Sequence, residues 1–185
     1  MHRMMIFIDA EYVIQSLRHL RNQKGRVPLE NINWHRLVSW IQRDRELIRC
    51  YYYTAELSRR ENEDTYNRQR EILKSLKSSI EYLQIRLGKL VRQKGTWVQK
   101  GIDVKIAVDM VSKAFLNHYD VAALVSGDAD FLPLVEEIKE AYGKQVELYT
   151  FDRYDSTLDE DFSFTPDRYI NIDAETAIQN EFFAA

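Results

Sequence analysis

Four aspartates in this 185-residue sequence stand where carboxylates could act together. Asp9 follows the apolar run Met4-Met-Ile-Phe-Ile8. Asp128 and Asp130 follow Val121-Ala-Ala-Leu-Val-Ser126, separated from it by Gly127. Asp103 comes two residues after Gly101, at the head of a segment with helical apolar spacing. Clustered carboxylates supply the oxygen ligands that hard Mg2+ or Mn2+ ions prefer. A metal held in this way activates water and stabilises a pentacovalent phosphate. Acids crowded at the end of a buried strand repel one another and are costly to desolvate, so a fold keeps them when a cation or substrate stabilises them. Taken singly, each of these residues reads better as a turn former or helix cap, Asp130 ahead of Phe131 above all. Taken as a set on one edge, they favour the metal reading.

That common edge depends on the elements that position them. Met4–Ile8 reads as a first strand, and Val13, Ile14, Leu17 and Leu20 as the face of a helix that stops at Gly25. Val27-Pro28 is linker, and Asn33 caps a helix with the face Trp34, Leu37, Val38, Ile41. Leu47–Thr54 reads as a strand, 59–80 as a long amphipathic helix, and Leu83–Leu87 as the next strand. A basic turn at 92–95 and an extended piece at Trp97-Val98 follow. A helix from Asp103, with Val104, Ala107, Val108, Val111, Ala114 and Phe115 as its apolar residues, leads into Val121–Ser126. The helix Phe131–Tyr142 stops at Gly143, and Val146–Phe151 is a further strand. The mostly acidic 152–161 is a loop, Arg168–Ile172 an edge strand, and Asp173 the cap of a last helix. Strands alternating with helices predict an α/β fold, a three-layer α/β/α sandwich around a mainly parallel sheet. In such sheets the site lies outside the carboxyl ends of the strands, where strand order reverses. If the first and central strands are neighbours, all four acids converge there.

Composition narrows the alternatives. No apolar run approaches the ~20 residues that span a bilayer, so no membrane role is expected. The start reads as a strand rather than a signal peptide, and the single cysteine, Cys50, rules out an internal disulfide. The expectation is a cytoplasmic protein. The net charge of −3 conceals a division: residues 1–100 hold 20 Lys and Arg against 11 Asp and Glu, and residues 101–185 hold 6 against 18. Such asymmetry fits nucleic-acid contact, and fits equally two halves that attract each other in one fold. No Ser/His/Asp nucleophile pattern and no glycine-rich phosphate loop is present. Four histidines (His2, His19, His35, His118) lack metal-ligand spacing. Tyr51, Tyr52 and Tyr53 read as core rather than as base-stacking rings.

Three strings resemble one family. Phe7-Ile-Asp-Ala-Glu11, Lys100-Gly-Ile-Asp-Val104 with Ala107-Val-Asp-Met110, and Val125-Ser-Gly-Asp-Ala-Asp-Phe131 with Leu-Pro-Leu134 resemble the NYN domain, in the LabA-like branch of the PIN-like nucleases. The resemblance implies a Rossmann-like parallel sheet with strand order resembling 3-2-1-4-5 and a metal-dependent ribonuclease site. By position its acidic ligands are Asp9, Asp103, Asp128 and Asp130, with Mg2+ or Mn2+ as cofactor. The departure is Tyr12, where the family has an Asn that orients the first Asp or the substrate. On this reading residues 1–151 are the nuclease domain and 152–185 an extension packed on it. Asp9, Asp103 and Asp128 hold metal, and Asp130 completes the site or positions the attacking water. Ser126 and Lys100 meet a phosphate or a ligand carboxylate, while Arg59 and Lys94 track the backbone of RNA, single strands favoured. Glu11 adds an oxygen and Tyr12 replaces the orienting Asn. Asp109, six residues along the helix from Asp103, points elsewhere and makes a supporting or ion-pair contact. The branch often self-associates, so a homo-oligomer is expected. The rival readings are an RNA- or protein-binding module without activity and a phosphatase of the haloacid dehalogenase type. The second wants Asp-x-Asp after the first strand, against Asp9-Ala-Glu11 here.

Overall fold

The computed structural model describes residues 1–24, 32–93, 96–152 and 163–183. Gly25, the Val27-Pro28 linker, Lys94 and most of the acidic 152–161 stretch lie outside the described residues. The chain forms β1 (Arg3–Asp9), α1 (Ala10–Lys24), α2 (Trp34–Gln42), β2 (Glu46–Glu56), α3 (Glu63–Ser79) and β3 (Leu83–Gln93). It continues through β4 (Thr96–Lys100), α4 (Ile102–Phe115), β5 (Val121–Val125), α5 (Leu132–Tyr142), β6 (Gln145–Phe151), β7 (Arg168–Ile172) and α6 (Ala174–Gln179). The seven strands make one sheet in the order β4-β3-β2-β1-β5-β6-β7, parallel except for the β3–β4 hairpin. This is the expected α/β sandwich, with the hairpin strand β4 added outside β3.

The centre of the sheet is β1 flanked by β2 and β5. β1 is buried from Met4 to Ile8 and β5 along its whole length, so both read as continuous apolar runs, as strands covered on two faces do. α1, α2, α3 and α6 pack on one face, around Met4, Ile6, Ile8 and Tyr52. α4 and α5 cover the other, around Phe7, Tyr51, Tyr53 and Leu124. Tyr51, Tyr52 and Tyr53 are all core. From β1 the chain steps outward to β2 and β3, then returns to β5 on the opposite side of β1 and steps outward again. The reversal of strand order therefore falls between β1 and β5.

Local signals begin or end three of the helices where the sequence placed them. The Asn33 side chain accepts from the Arg36 N–H at 3.1 Å, and the Asp173 side chain accepts from the Thr176 N–H at 2.7 Å. α5 ends at Gly143, whose φ of 61° suits glycine and whose N–H reaches the Lys139 carbonyl at 3.0 Å. α4 differs from the expected pattern. Its buried residues are Ile102, Ile106, Met110 and Ala114, while Val104 and Phe115 are 66% and 73% exposed. The helix is apolar on two sides, both satisfying i, i+4 spacing, and the sheet covers one of them.

The charge division is partly an internal one. Arg3–Asp120, Arg36–Glu181, Arg45–Glu147 and Arg86–Asp109 each join the basic half to the acidic half.

Candidate active site

A cavity of about 500 Å³ opens at the carboxyl ends of β1 and β5. Three segments of chain line it. β1 and the first turns of α1 give Asp9, Glu11, Tyr12 and Gln15. The β4–α4 junction gives Gln99, Ile102 and Asp103, and the turn after β5 gives Ser126, Gly127, Asp128 and Ala129. Three of the four expected acids thus meet in one cavity. Asp130 is exposed and lies outside the lining, though its charge still reaches Asp103.

Asp9 ends β1, and the Tyr12 N–H donates to its Oδ1 at 3.2 Å, as a helix cap would. Burial is the main influence on its carboxyl, which rises from the ordinary 3.8 to about 6; the Tyr12 hydrogen bond opposes the rise and the charges of Asp103 and Glu11 add to it. Asp103 is the second residue of α4. Gly101 before it adopts φ 77°, a left-handed turn that lets the chain leave β4 and start the helix at once. Burial, then the charges of Asp128 and Asp130, raise the Asp103 carboxyl. Asp128 shapes its own turn: its Oδ1 accepts from the Asp130 N–H at 3.0 Å, and its N–H donates to the buried Ser126 Oγ at 3.3 Å.

Two glycines seat these pieces. A Cβ on Gly127 would lie 2.5 Å from a ring carbon of Tyr12 and 2.7 Å from its hydroxyl oxygen. A Cβ on Gly88, in β3, would lie 2.5 Å from the Ile102 Cδ1, so glycine there lets the start of α4 settle on the sheet beside Asp103. Tyr12 therefore does something quite unlike an asparagine. Its ring covers Gly127, and its hydroxyl accepts from the Phe151 N–H in β6 at 2.9 Å, pinning α1 across three strands.

The remaining candidates fall elsewhere. Asp109 accepts from the Tyr53 hydroxyl and from the Arg86 Nε, each at 3.0 Å, away from the cavity. Lys100 is exposed, with its neighbours Gln99 and Ile102 in the wall. Arg59 is exposed and pairs with Glu63. Gln15 and Gln99 line the cavity although no motif pointed to them; for Gln15 the only available signal was its i+4 spacing from Glu11, to whose Oε1 it donates at 2.8 Å.

The donor chemistry suits a hard cation: four carboxylates line the cavity, and two of them are held above their ordinary range by burial and mutual repulsion. Among the described residues no basic side chain pairs with Asp9, Asp103 or Asp128. As the side chains stand, no three described His, Cys, Asp or Glu residues are grouped to hold an ion, so binding would draw them inward from the three walls.

A central strand-order reversal with acids at its carboxyl edge defines a doubly wound α/β protein with a crevice at the switch point. The family model of the NYN domain matches residues 3–173, and the chain belongs to that family. A crystal structure of VPA0982 from Vibrio parahaemolyticus, a protein of unknown function, superposes with a TM-score of 0.65 over 93% of both chains at 23% identity, which establishes a shared fold. No functionally curated protein matches the sequence. Among the described residues no helix is long and apolar enough to cross a membrane.

Proposed function

We propose that this protein is a metal-dependent nuclease that hydrolyses phosphodiester bonds of RNA, single-stranded RNA favoured, within the LabA-like branch of the NYN family. The observation that carries the reading is the meeting of Asp9, Asp103 and Asp128, from three separate segments, in a cavity where no described cation offsets them. Asp9, Asp103 and Asp128 would hold Mg2+ or Mn2+, which when bound supplies an activated water and offsets charge on the phosphate. The Tyr12 N–H orients Asp9, and Ser126 fixes the turn that presents Asp128. Asp130, at the outer side of that turn, would complete the site or position the attacking water. Lys100, Arg59 and Lys94 contact the RNA backbone, and Glu11 offers a further oxygen. All these residues lie within 1–151, the proposed nuclease domain, with 152–185 as an extension. A cytoplasmic location and self-association belong to the same proposal.

A second reading has a specific observation behind it. The Tyr12 ring fills the space over Gly127, where the family's smaller Asn would leave room, and a catalytically weak RNA- or protein-binding module would tolerate that. One experiment separates them. Purified protein is incubated with single-stranded RNA and DNA in Mn2+, in Mg2+ and in EDTA, with Asp128→Asn alongside. Cleavage that needs metal and is lost in Asp128→Asn supports the nuclease. Cleavage that survives the substitution overturns the site assignment, and tight RNA binding without cleavage supports the module.

A further inference from the structure

The cavity is acidic on every wall, and a phosphodiester strand must still lie across its mouth. One rim offers a place for it. In the β3–β4 hairpin Lys89 stands directly opposite Lys100. Directly opposed residues of an antiparallel pair share a face, with Cβ atoms about 5 Å apart, and like charges so placed destabilise the pairing. Both lysines are exposed, and among the described residues neither forms an ion pair. Glu56 is the β2 partner of Lys89, so the row across the three strands still holds one net positive charge.

Protection of a sheet edge accounts for a lysine on the outermost strand, where it discourages pairing with another chain. It accounts for Lys100 on β4, but not for Lys89, which sits on the inner strand β3. The position of the pair suggests a different role. Lys100 adjoins Gln99 in the cavity wall, and the Gly101 turn alone separates it from Ile102 and Asp103. The α1 wall presents Glu11 and Gln15, and the turn after β5 presents Asp128 with Asp130 outside it. The cations therefore border the β4–α4 wall and leave the other two walls to acids and amides.

We propose that Lys89 and Lys100 form a phosphate-binding rail, and that a single-stranded nucleic acid leaves the cavity over the β3–β4 hairpin with a flanking phosphodiester held between them. This rests on reading the cavity as a nuclease site, and it adds the direction in which the strand runs. Lys89 is central to it, because no part of the site proper explains that residue.

The test is binding rather than cleavage, so that its outcome is independent of catalysis. Affinity of a labelled single-stranded 12-mer, as RNA and as DNA, is measured in EDTA over a salt series for the wild type, Lys89→Gln and Lys89→Gln/Lys100→Gln. Each lost phosphate contact should lower the slope of log affinity against log salt by about 0.7. The double variant loses the one phosphodiester held between the lysines, so it is expected to lose roughly 0.7 of that slope and to bind more weakly at low salt. Its melting temperature should be unchanged or higher, since a like-charge pair has been removed. Hydrolysis of bis-p-nitrophenyl phosphate in Mn2+, a diester too short to reach the rim, should be unaltered in Lys89→Gln where the wild type shows it. An unchanged slope, no measurable binding by the wild type, or a double variant that binds weakly and melts lower would each overturn the rail. Failure of the wild type to cleave either substrate would instead count against the nuclease reading and leave the binding result to decide the rail.

Discussion

The two ends of the sheet treat their acids in opposite ways. At the amino end, Glu147 is 4% exposed and is gripped by both terminal nitrogens of Arg45, at 2.5 and 3.0 Å, with the Tyr149 hydroxyl donating at 2.8 Å. Asp120, ahead of β5, takes the Arg3 guanidinium and backbone N–H. At the carboxyl end Asp9, Asp103 and Asp128 share a cavity with no described cation beside them. Hydrogen bonding to Arg3 holds the Asp120 carboxyl down at about 2, whereas burial pushes Asp9 up to about 6. A sheet that can supply arginines to its acids does so where the acids serve stability. At the carboxyl edge, where such topologies form their sites, no described cation pairs with the acids of the cavity.

The largest expected effect breaks the carboxyl edge without touching the fold. Asp103→Asn should lower metal-dependent RNA cleavage by about 10²–10³-fold, the loss usual when a group that stabilises charge in the transition state is removed. The same protein should unfold in urea at the wild-type midpoint or above it. A lowered midpoint would mean that Asp103 serves the fold, and would remove the contrast between the two ends.

At the amino edge the outcome should invert. Glu147→Ala leaves Arg45, whose side chain is 17% exposed, without its partner. Breaking a buried pair from one side costs about 3–5 kcal/mol, and some solvent at Arg45 puts this case near about 3. Urea denaturation reads it, and per-molecule activity of the folded fraction should be unchanged.

Asp9 tests the sign of the difference. Its folded-state carboxyl lies near 6 against an ordinary 3.8, so its contribution to stability is fully present below about pH 4 and is lost as pH rises through about 6. Near neutrality, without metal, the ionised Asp9 weakens the fold. Asp9→Asn should then stabilise the protein by about 2–3 kcal/mol at pH 7.5 and by almost nothing at pH 4, at about 1.4 kcal/mol for each pK unit. Chemical denaturation in EDTA at the two pH values checks it, and equal gains at both would show that Asp9 is not held by burial.

The carboxyl edge was readable from sequence to a greater depth than the amino edge, for a physical reason. Asp9, Asp103 and Asp128 each follow a strand end or a glycine turn, and the rule that sites form at strand carboxyl ends needs no side-chain contacts. Gly143, Asn33 and Asp173 were legible in the same way, because caps act within four residues. Arg45–Glu147 spans 102 positions, and the Tyr12 hydroxyl meets β6 139 residues away. Neither contact leaves a local periodicity. The α4 stripe failed from the opposite cause: periodicity was present on two sides of one helix, and only the position of the sheet distinguishes Ile106 and Met110 from Val104 and Val108. Asp130 and Asp128 exchanged cap roles because either carboxylate, two residues apart, can close the same turn.

The smallest effect separates the two amino-edge pairs from each other. Arg3 and Asp120 are about one-third exposed, at 35% and 34%, so the low Asp120 carboxyl overstates what the pair contributes. Its contribution should be present above about pH 4 and fade as pH falls through about 2, the reverse of Asp9. Asp120→Asn should lower the melting temperature by no more than about 2 °C at pH 7 in low salt. In 1 M NaCl, where the Debye length falls to about 3 Å, that difference should shrink, because the pair is partly solvated. The deficit of Glu147→Ala should persist in the same salt, because the Arg45–Glu147 pair is closed to it. If both deficits shrink together, Glu147 is as solvated as Asp120, and the amino end holds its acids by surface electrostatics alone.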